Sequence, residues 1–339
     1  MTKKAILYKK LPNQNVMCQV CNHYCMIQPN KTGKCGIRQN KDGELYLLVY
    51  GKALGVHIDP IEKKPLYHFF PGTNIFSLWT AGCNFTCKFC QNRQMSQAKE
   101  FPEIVNEGES WPPKKIVDYC IENNISSIAY TYNEPTVFFE YAYNTMKLAK
   151  KHWIKNVRVT NGFMSKECLK KIEKLIDAVN IDIKWYTEDF YRNICGARLQ
   201  PVLDNVKRCY EHNIWTEVTT LVIPGYNDQD EILEWIAKFI YSVSPDMPWH
   251  LSAFYPAYKM LDVPSTPVEL LQKWYDIGKK IWLNYIYMGN IRNNWHEHTI
   301  CPKCWLHVIE RMWFSLHKDP DFKNGICPKC GFHIAGRRE

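Results

Sequence analysis

Between about Thr73 and Gly289 the chain alternates two hydrophobic periods. Short apolar runs rich in β-branched and aromatic residues alternate with longer stretches in which apolar residues recur every three to four positions, the marks of strands and amphipathic helices in turn. Ile75 to Trp79 reads as a first strand, and Pro112-Pro113 then open a helix with Ile116, Val117, Cys120 and Ile121 on one face, proline being tolerated where the first N–H has no partner. Ser126 to Thr131 is a second strand, followed by a helix through Phe138, Tyr141, Met146 and Leu148. Val157 to Thr160 is a third, and Ser165 caps a helix bearing Leu169, Ile172 and Leu175. Val179 to Ile183 precedes a helix with Val202, Val206, Cys209 and Tyr210. Trp215 to Val222 is the fifth strand, after which Asp228 and Glu231 have capping-box spacing before a helix with Ile232, Trp235, Ile236 and Phe239. Trp249 to Phe254 and a helix from Pro267 to Leu283 end the series. Strands and helices in strict alternation predict an α/β fold with a parallel sheet and crossover helices. Its six units predict a partial (β/α)6 TIM-like barrel.

The cysteines divide the chain a second time. Cys18, Cys21, Cys25 and Cys35 lie in an N-terminal segment (1–72), Cys83, Cys87 and Cys90 open the α/β core (73–290), and Cys301, Cys304, Cys327 and Cys330 close the chain (291–339). Cys120, Cys168, Cys195 and Cys209 are left over, three of them at apolar positions of predicted helices. The central run, C-x3-C-x2-C, offers three thiolates. A 4Fe-4S cluster normally takes four, so such a loop leaves one iron open to a ligand that is not protein, whereas zinc wants four tetrahedral ligands from paired knuckles.

In a barrel of parallel strands the chemistry gathers just past the strands' C-terminal ends. The second strand ends in Tyr132-Asn133-Glu134-Pro135, the third in Asn161-Gly162, the fourth in Asp182-Ile183-Lys184, and His250 begins the sixth. The period of two puts Asp182 and Lys184 on one face, where they could pair across a ligand.

Gly82-Cys83-Asn84-Phe85-Thr86-Cys87-Lys88-Phe89-Cys90, with its aromatic before the last cysteine, resembles the signature of the radical S-adenosylmethionine (SAM) superfamily. The resemblance implies that SAM chelates the open iron and that an electron from the cluster cleaves it to a 5′-deoxyadenosyl radical. It implies that Asn133 and Glu134 hold the SAM amino group, with Tyr132-Asn133 standing where the family motif has a glycine pair. Asn161, Asp182 and Lys184 would surround the ribose and carboxylate, Val222 to Asp228 the adenine, and His250 a further part of SAM. Over nearly its whole length the chain resembles the pyruvate formate-lyase activating enzyme-like branch, and more narrowly the radical SAM member of the AmmeMemoRadiSam system. The narrower likeness rests on Cys21-Asn22-His23-Tyr24-Cys25, on Asp59 to His68, on Gln91-Asn92 after the cysteine run, and on the C-terminal cysteines. It implies a hydrogen-abstracting enzyme with a protein or peptide among its conceivable substrates, a ferredoxin or flavodoxin as reductant, and a Memo-like protein as partner.

Cys301-Pro-Lys-Cys304 and Cys327-Pro-Lys-Cys330 match a four-cysteine zinc ribbon, with rubredoxin-like iron as the alternative metal. Trp305 and Phe332 beside them predict a covered, structural site, and a chain cut after Arg292 is expected to keep its core folded. His307 and His333 recur as repeat geometry. The N-terminal four suit a closed zinc site or an auxiliary iron–sulfur cluster, with His23 as a substitute ligand. Since no hydrophobic insulation is visible around them, zinc is the favoured reading. Asn40-Lys41-Asp42-Gly43 signals a hairpin.

Composition narrows the function classes. A hydrophobic content of 46% with 14% aromatics in 339 residues supports a packed core and excludes a disordered chain. The N-terminus lacks an apolar signal core, and no run approaches the roughly 20 apolar residues of a membrane span. Fifteen cysteines without an export signal then point to a reducing, cytoplasmic setting and metal ligation. The net charge of +9 keeps RNA open as a substrate, but the lysines form no single stripe. An RNA-modifying enzyme and a non-enzymatic iron–sulfur and zinc scaffold stand as alternatives.

Overall fold

The computed structural model describes residues 2–291, 295–318 and 325–338. Its centre is an eight-stranded sheet. In chain order the strands are β1 (Gly55–Pro60), β2 (Asn74–Trp79), β3 (Ser127–Tyr130), β4 (Lys155–Thr160), β5 (Ala178–Asp182), β6 (Trp215–Val222), β7 (Trp249–Ala253) and β8 (Ile286–Gly289). They lie side by side in sequence order, β2 to β8 all parallel and β1 antiparallel to β2. The crossovers carry α1 (Pro113–Glu122), α2 (Phe139–Lys151), α3 (Lys166–Ile172), α4 (Gln200–Glu211), α5 (Asp230–Val243) and α6 (Val268–Lys280).

All six expected strands form within a residue or two of their predicted bounds. The sheet goes further than the periodicity indicated, because β8 adds a seventh parallel strand and β1 an antiparallel edge. Ser165 caps α3, its Oγ accepting from Cys168 N at 3.0 Å. The capping box before α5 does not form: Asp228 Oδ2 accepts from Gly225 N at 2.8 Å instead, closing the preceding turn, and Gln229 takes the cap position without a side-chain bond. In α1 Ile116, Val117 and Cys120 are wholly buried, whereas Ile121, expected on the same face, is exposed, as are Tyr210 of α4 and Trp235 of α5. Trimming Ile116 to Ala would cost about 2–5 kcal/mol.

Before β1 the chain forms small antiparallel sheets, one of Lys3–Lys4, Glu44–Leu47 and Arg38–Lys41, another of Tyr8–Lys10, Val16–Cys18 and Met26–Ile27. Asp42 and Gly43 take φ of +50° and +81° in the predicted hairpin turn, the left-handed pair that a two-residue connection requires. Buried Arg38 anchors this segment through paired bonds of 2.7 and 2.9 Å to Glu140 on α2.

The C-terminal strands Thr299–Ile300, His307–Met312 and Ser315–Lys318 pack at the opposite end of the sheet from the strands' C-termini. Arg311 Nη2 donates to Tyr67 O at 2.8 Å, Arg337 N to His68 O at 2.8 Å, and Tyr67 and His68 donate their backbone N–H groups to Glu217, near the start of β6. Tyr67, Tyr285 and Tyr287 share one apolar cluster with Cys301 and Cys327. The terminal module thus packs against the floor of the sheet; the cut point after Arg292 lies outside the described residues. No helix among the described residues is long and apolar enough to cross a membrane.

Candidate active site and metal centres

Beyond β2 the chain runs into the loop of Cys83, Cys87 and Cys90, and a cavity of about 320 Å³ opens beside it at the C-terminal ends of the parallel strands. The three cysteines line it together with Asn133, Glu134, Asn161, Asp182 and Lys184. Five of the six polar residues read from the strand ends therefore converge on the thiols. The sixth does not. His250 Nε2 meets Glu217 Oε2 at 2.6 Å and its ring stacks on Tyr287. It shares a face with Ser252, which does line the cavity, but it enters β7 one repeat too early and sits nearer the sheet's floor.

Asn133 is used up in holding the loop. Its Nδ2 donates to Gly82 O (2.8 Å), Ala81 O (3.2 Å) and Thr80 Oγ1 (3.2 Å), while Oδ1 accepts from Thr80 N (3.3 Å). Asn161 works from the other side: Nδ2 donates to Asn84 Oδ1 at 2.7 Å and lies 3.9 Å from Cys83 Sγ. Thr86 N and Lys88 N donate to Cys195 O and Ile194 O at 2.9 and 3.0 Å, which clamps the loop onto the turn after β5. That clamp brings a fourth thiol to the site. Contact with Cys195, then burial, raises the Cys87 thiol well above its ordinary range, and burial raises Cys83 and Cys90. These thiols keep their protons at neutral pH until a metal displaces them. Cys195 was among the leftovers of the sequence, since nothing in its spacing ties it to the triad.

Glu134 is buried yet faces the cavity. Its Oε1 accepts from Thr136 N (2.9 Å), Thr136 Oγ1 (2.5 Å) and Thr160 Oγ1 (2.8 Å), and Oε2 from Asn161 N (2.8 Å). The carboxylate thus ties the ends of β3 and β4 together while presenting negative charge inward. Tyr132 before it takes φ +63°, a conformation natural to the glycine of the related motif and strained for tyrosine. Its carbonyl accepts from Asn92 Nδ2 at 3.0 Å, and its hydroxyl donates to Asp59 Oδ2 at 3.1 Å. Asp59 also takes bonds from Lys64 (2.7 Å), Lys63 (2.9 Å) and Ser77 (2.6 Å). Burial works against this carboxylate, but these donors hold it well below the ordinary range. Tyr132 lines the cavity and Asp59 stands behind it, an arrangement that strand-end reasoning missed, although the charged run Asp59 to Lys64 was the available signal.

Asp182 and Lys184 pair directly, at 2.8 Å. Burial disfavours the Lys184 charge, but the paired Asp182 carboxylate leaves it above the ordinary lysine range. The cavity therefore offers an anion at Glu134, an ion pair at Asp182–Lys184 and three thiols on one wall. Such a site fits a zwitterionic ligand beside a metal cluster with three protein ligands.

The terminal cysteines form a different object. Cys301 and Cys330 thiols stand 3.6 Å apart, Cys304 and Cys327 3.5 Å, and all four lie within 4.8 Å of one another. Tetrahedral metal–sulfur bonds of 2.3 Å demand a separation of about 3.8 Å. Both knuckles close identically, Trp305 N donating to Cys301 O and Gly331 N to Cys327 O, each at 2.9 Å. Phe332 packs against the site as expected, but Trp305 is 68% exposed and covers nothing. In the N-terminal group His23 Nε2 lies 2.8 Å from Asn84 O, and burial lowers the pKa of the ring to about 4.

The arrangement is a parallel α/β sheet with a three-cysteine loop and a charged cavity at its strand ends. The sequence profile described as the radical SAM superfamily matches residues 77–236. An uncharacterized protein of Methanocaldococcus jannaschii is 41% identical over 314 residues, 92% of each chain. A second protein of that organism, named provisionally as a glycyl-radical enzyme activating enzyme, is 30% identical over 215 residues, 62% of this chain and 77% of its own length. Among solved structures, Streptococcus suis SuiB bound to S-adenosylmethionine shares the fold, with a TM-score of 0.50, 14% identity and coverage of 68% of this chain and 53% of that one. The chain belongs to the radical SAM superfamily and is related to the glycyl-radical activating enzymes.

Proposed function

We propose that Cys83, Cys87 and Cys90 hold a 4Fe-4S cluster whose fourth iron binds SAM, and that the protein abstracts a hydrogen atom from a protein or peptide substrate. The observation that carries this reading is the convergence of the three thiols with Glu134, Asn161, Asp182 and Lys184 on one cavity. When bound, the cluster supplies the electron that divides SAM into methionine and a 5′-deoxyadenosyl radical. The chain's own part is binding, orientation and exclusion of water. Glu134 receives the SAM ammonium, Lys184 its carboxylate and Asp182 the ribose hydroxyls. Asn133 and Asn161 fix the cluster loop, and Phe85, Phe89 and Leu221 give the cavity its apolar walls.

The kinship with an activating enzyme supports a polypeptide substrate. The segments Cys21 to Cys25, Asp59 to His68 and Gln91-Asn92 support placement in the AmmeMemoRadiSam system, in a cytoplasmic setting, with a ferredoxin or flavodoxin as electron donor and a Memo-like protein as partner. The spacing of the terminal thiols supports zinc in the ribbon. The test is spectroscopic: the EPR signal of the reduced, reconstituted protein should shift when SAM is added. A signal that SAM leaves unchanged overturns the proposal.

A further inference from the structure

The N-terminal cysteines converge, but in a looser pattern than the ribbon. Cys18 N donates to Cys25 O at 3.0 Å, and Cys18, Cys21 and Cys35 are buried in one apolar cluster with Cys25 packed against it. Yet among the described residues the ribbon is the set whose ligand atoms gather within 4.8 Å. The N-terminal four fall outside that tight class, and so does the triad Cys83, Cys87 and Cys90. A single zinc ion pulls its sulfurs to about 3.8 Å from one another. A cube binds each thiolate at a separate iron corner, which spreads them further.

The surroundings agree. Cys18, Cys21 and Cys35 are 6%, 6% and 7% exposed and belong to the protein's main apolar core with Val16, Val20, Ile27 and Ile37. The insulation that the sequence did not reveal is therefore present. Arg38, 1% exposed and close enough to interact with Cys18 and Cys35, carries a buried Nε with no partner, a donor suited to a cluster sulfide.

We propose that Cys18, Cys21, Cys25 and Cys35 ligate a second 4Fe-4S cluster, set one layer of residues from the first. The contacts between the two loops are direct. A Cβ at Gly82, beside Cys83, would meet Cys35 O at 2.8 Å, and His23 reaches Asn84 O. The His23 ring lies 4.8 Å from Phe163, which in turn lies 5.3 Å from Phe85 of the triad loop. Cys25 is the half-buried member of the set, next to Met26 at 79% exposure, so one side of the site lies toward solvent and the other toward the active site. Such a site would take one electron from a low-potential protein of the ferredoxin or flavodoxin class, passing from the 2+ to the 1+ state, and release it toward the triad loop with no bond made or broken.

The experiment uses the full chain with Cys83, Cys87 and Cys90 all replaced by Ala, reconstituted anaerobically. It should retain about four iron and about one zinc per chain and give a cluster EPR signal on reduction with dithionite. About two zinc and no iron would overturn the proposal. Should that variant not fold, wild type decides: about eight iron and one zinc support it, about four iron and two zinc contradict it. In fully reduced wild type the two signals should broaden each other, and a simple sum of isolated signals contradicts the placement. The triple variant lacks the triad ligands, so its result does not depend on the proposed function, and failure there is distinguishable from failure of that function. The wild-type iron count and the broadening rest on the triad cluster as well.

Discussion

The ribbon and the triad loop are both built from cysteines, and they stand at opposite ends of one sheet. In the ribbon four thiols are already drawn into two pairs at 3.5 and 3.6 Å, held by twin backbone knuckles, with every tetrahedral position filled. In the loop three thiols stand apart beside a charged cavity, and the groups that fix them, Asn133 and Asn161, come from other strands. A complete ligand set leaves a metal nothing to do but hold chain together. An incomplete one, aimed into a cavity, leaves a metal corner for chemistry.

Breaking the ribbon should give the largest effect on stability. Cys301→Ser with Cys327→Ser removes half its ligands, and because the module floors the sheet through Arg311 and Arg337, Tm should fall by roughly 10 °C or more. Iron content should stay unchanged. A variant with unaltered Tm and zinc would show that the terminal four are not a structural metal site.

At the other end, Glu134→Ala should leave iron content intact and weaken SAM binding by about one to two decades. A carboxylate–ammonium hydrogen bond is worth about 1.5–3 kcal/mol, and the loss also leaves the Asn161 N–H and Thr160 hydroxyl without their acceptor. Calorimetric titration with SAM reads this, and wild-type affinity in the variant would remove Glu134 from the site.

The smallest effect sharpens the picture of the ribbon's seat. Burial pushes the Glu297 carboxyl up from 4.5 to about 7, against the bond it accepts from Trp313 N at 2.8 Å. The folded form thus binds a proton more tightly than the unfolded one. Its contribution to stability is full below about 4.5 and is lost as pH rises through about 7. Between pH 5 and 8 the holoprotein should lose on the order of 1 kcal/mol from this group, and Glu297→Gln should flatten that slope. An equal slope in the variant would clear Glu297 of the role.

Much of this was legible in the sequence, and the gaps have physical causes. Strands β2 to β7 announced themselves because each is an apolar run before a crossover helix. Strand β8, Ile286–Gly289, follows the last helix with no unit after it, and β1 ends in Pro60, so neither had the alternation that marks a βα repeat. Strand ends located Glu134, Asn161, Asp182 and Lys184 because parallel strands deliver their C-terminal residues to one rim. They could not tell that the Asn133 amide is consumed by Gly82 and Ala81, or that His250 enters the strand too early. A period of two fixes the face of a residue and says nothing of its depth. Cys195 was hidden for a related reason: it reaches Cys87 through a turn rather than through a motif.

The central claim is that the loop of Cys83, Cys87 and Cys90 equips this chain to cleave SAM. The most direct test is chromatographic detection of 5′-deoxyadenosine after wild type and the triple Cys→Ala variant, each reconstituted anaerobically and reduced with dithionite, are given SAM. Wild type should form it and the triple variant should not, with the ribbon's zinc unchanged in both. Equal deoxyadenosine from the two proteins, or none from wild type carrying a full cluster, would contradict the account.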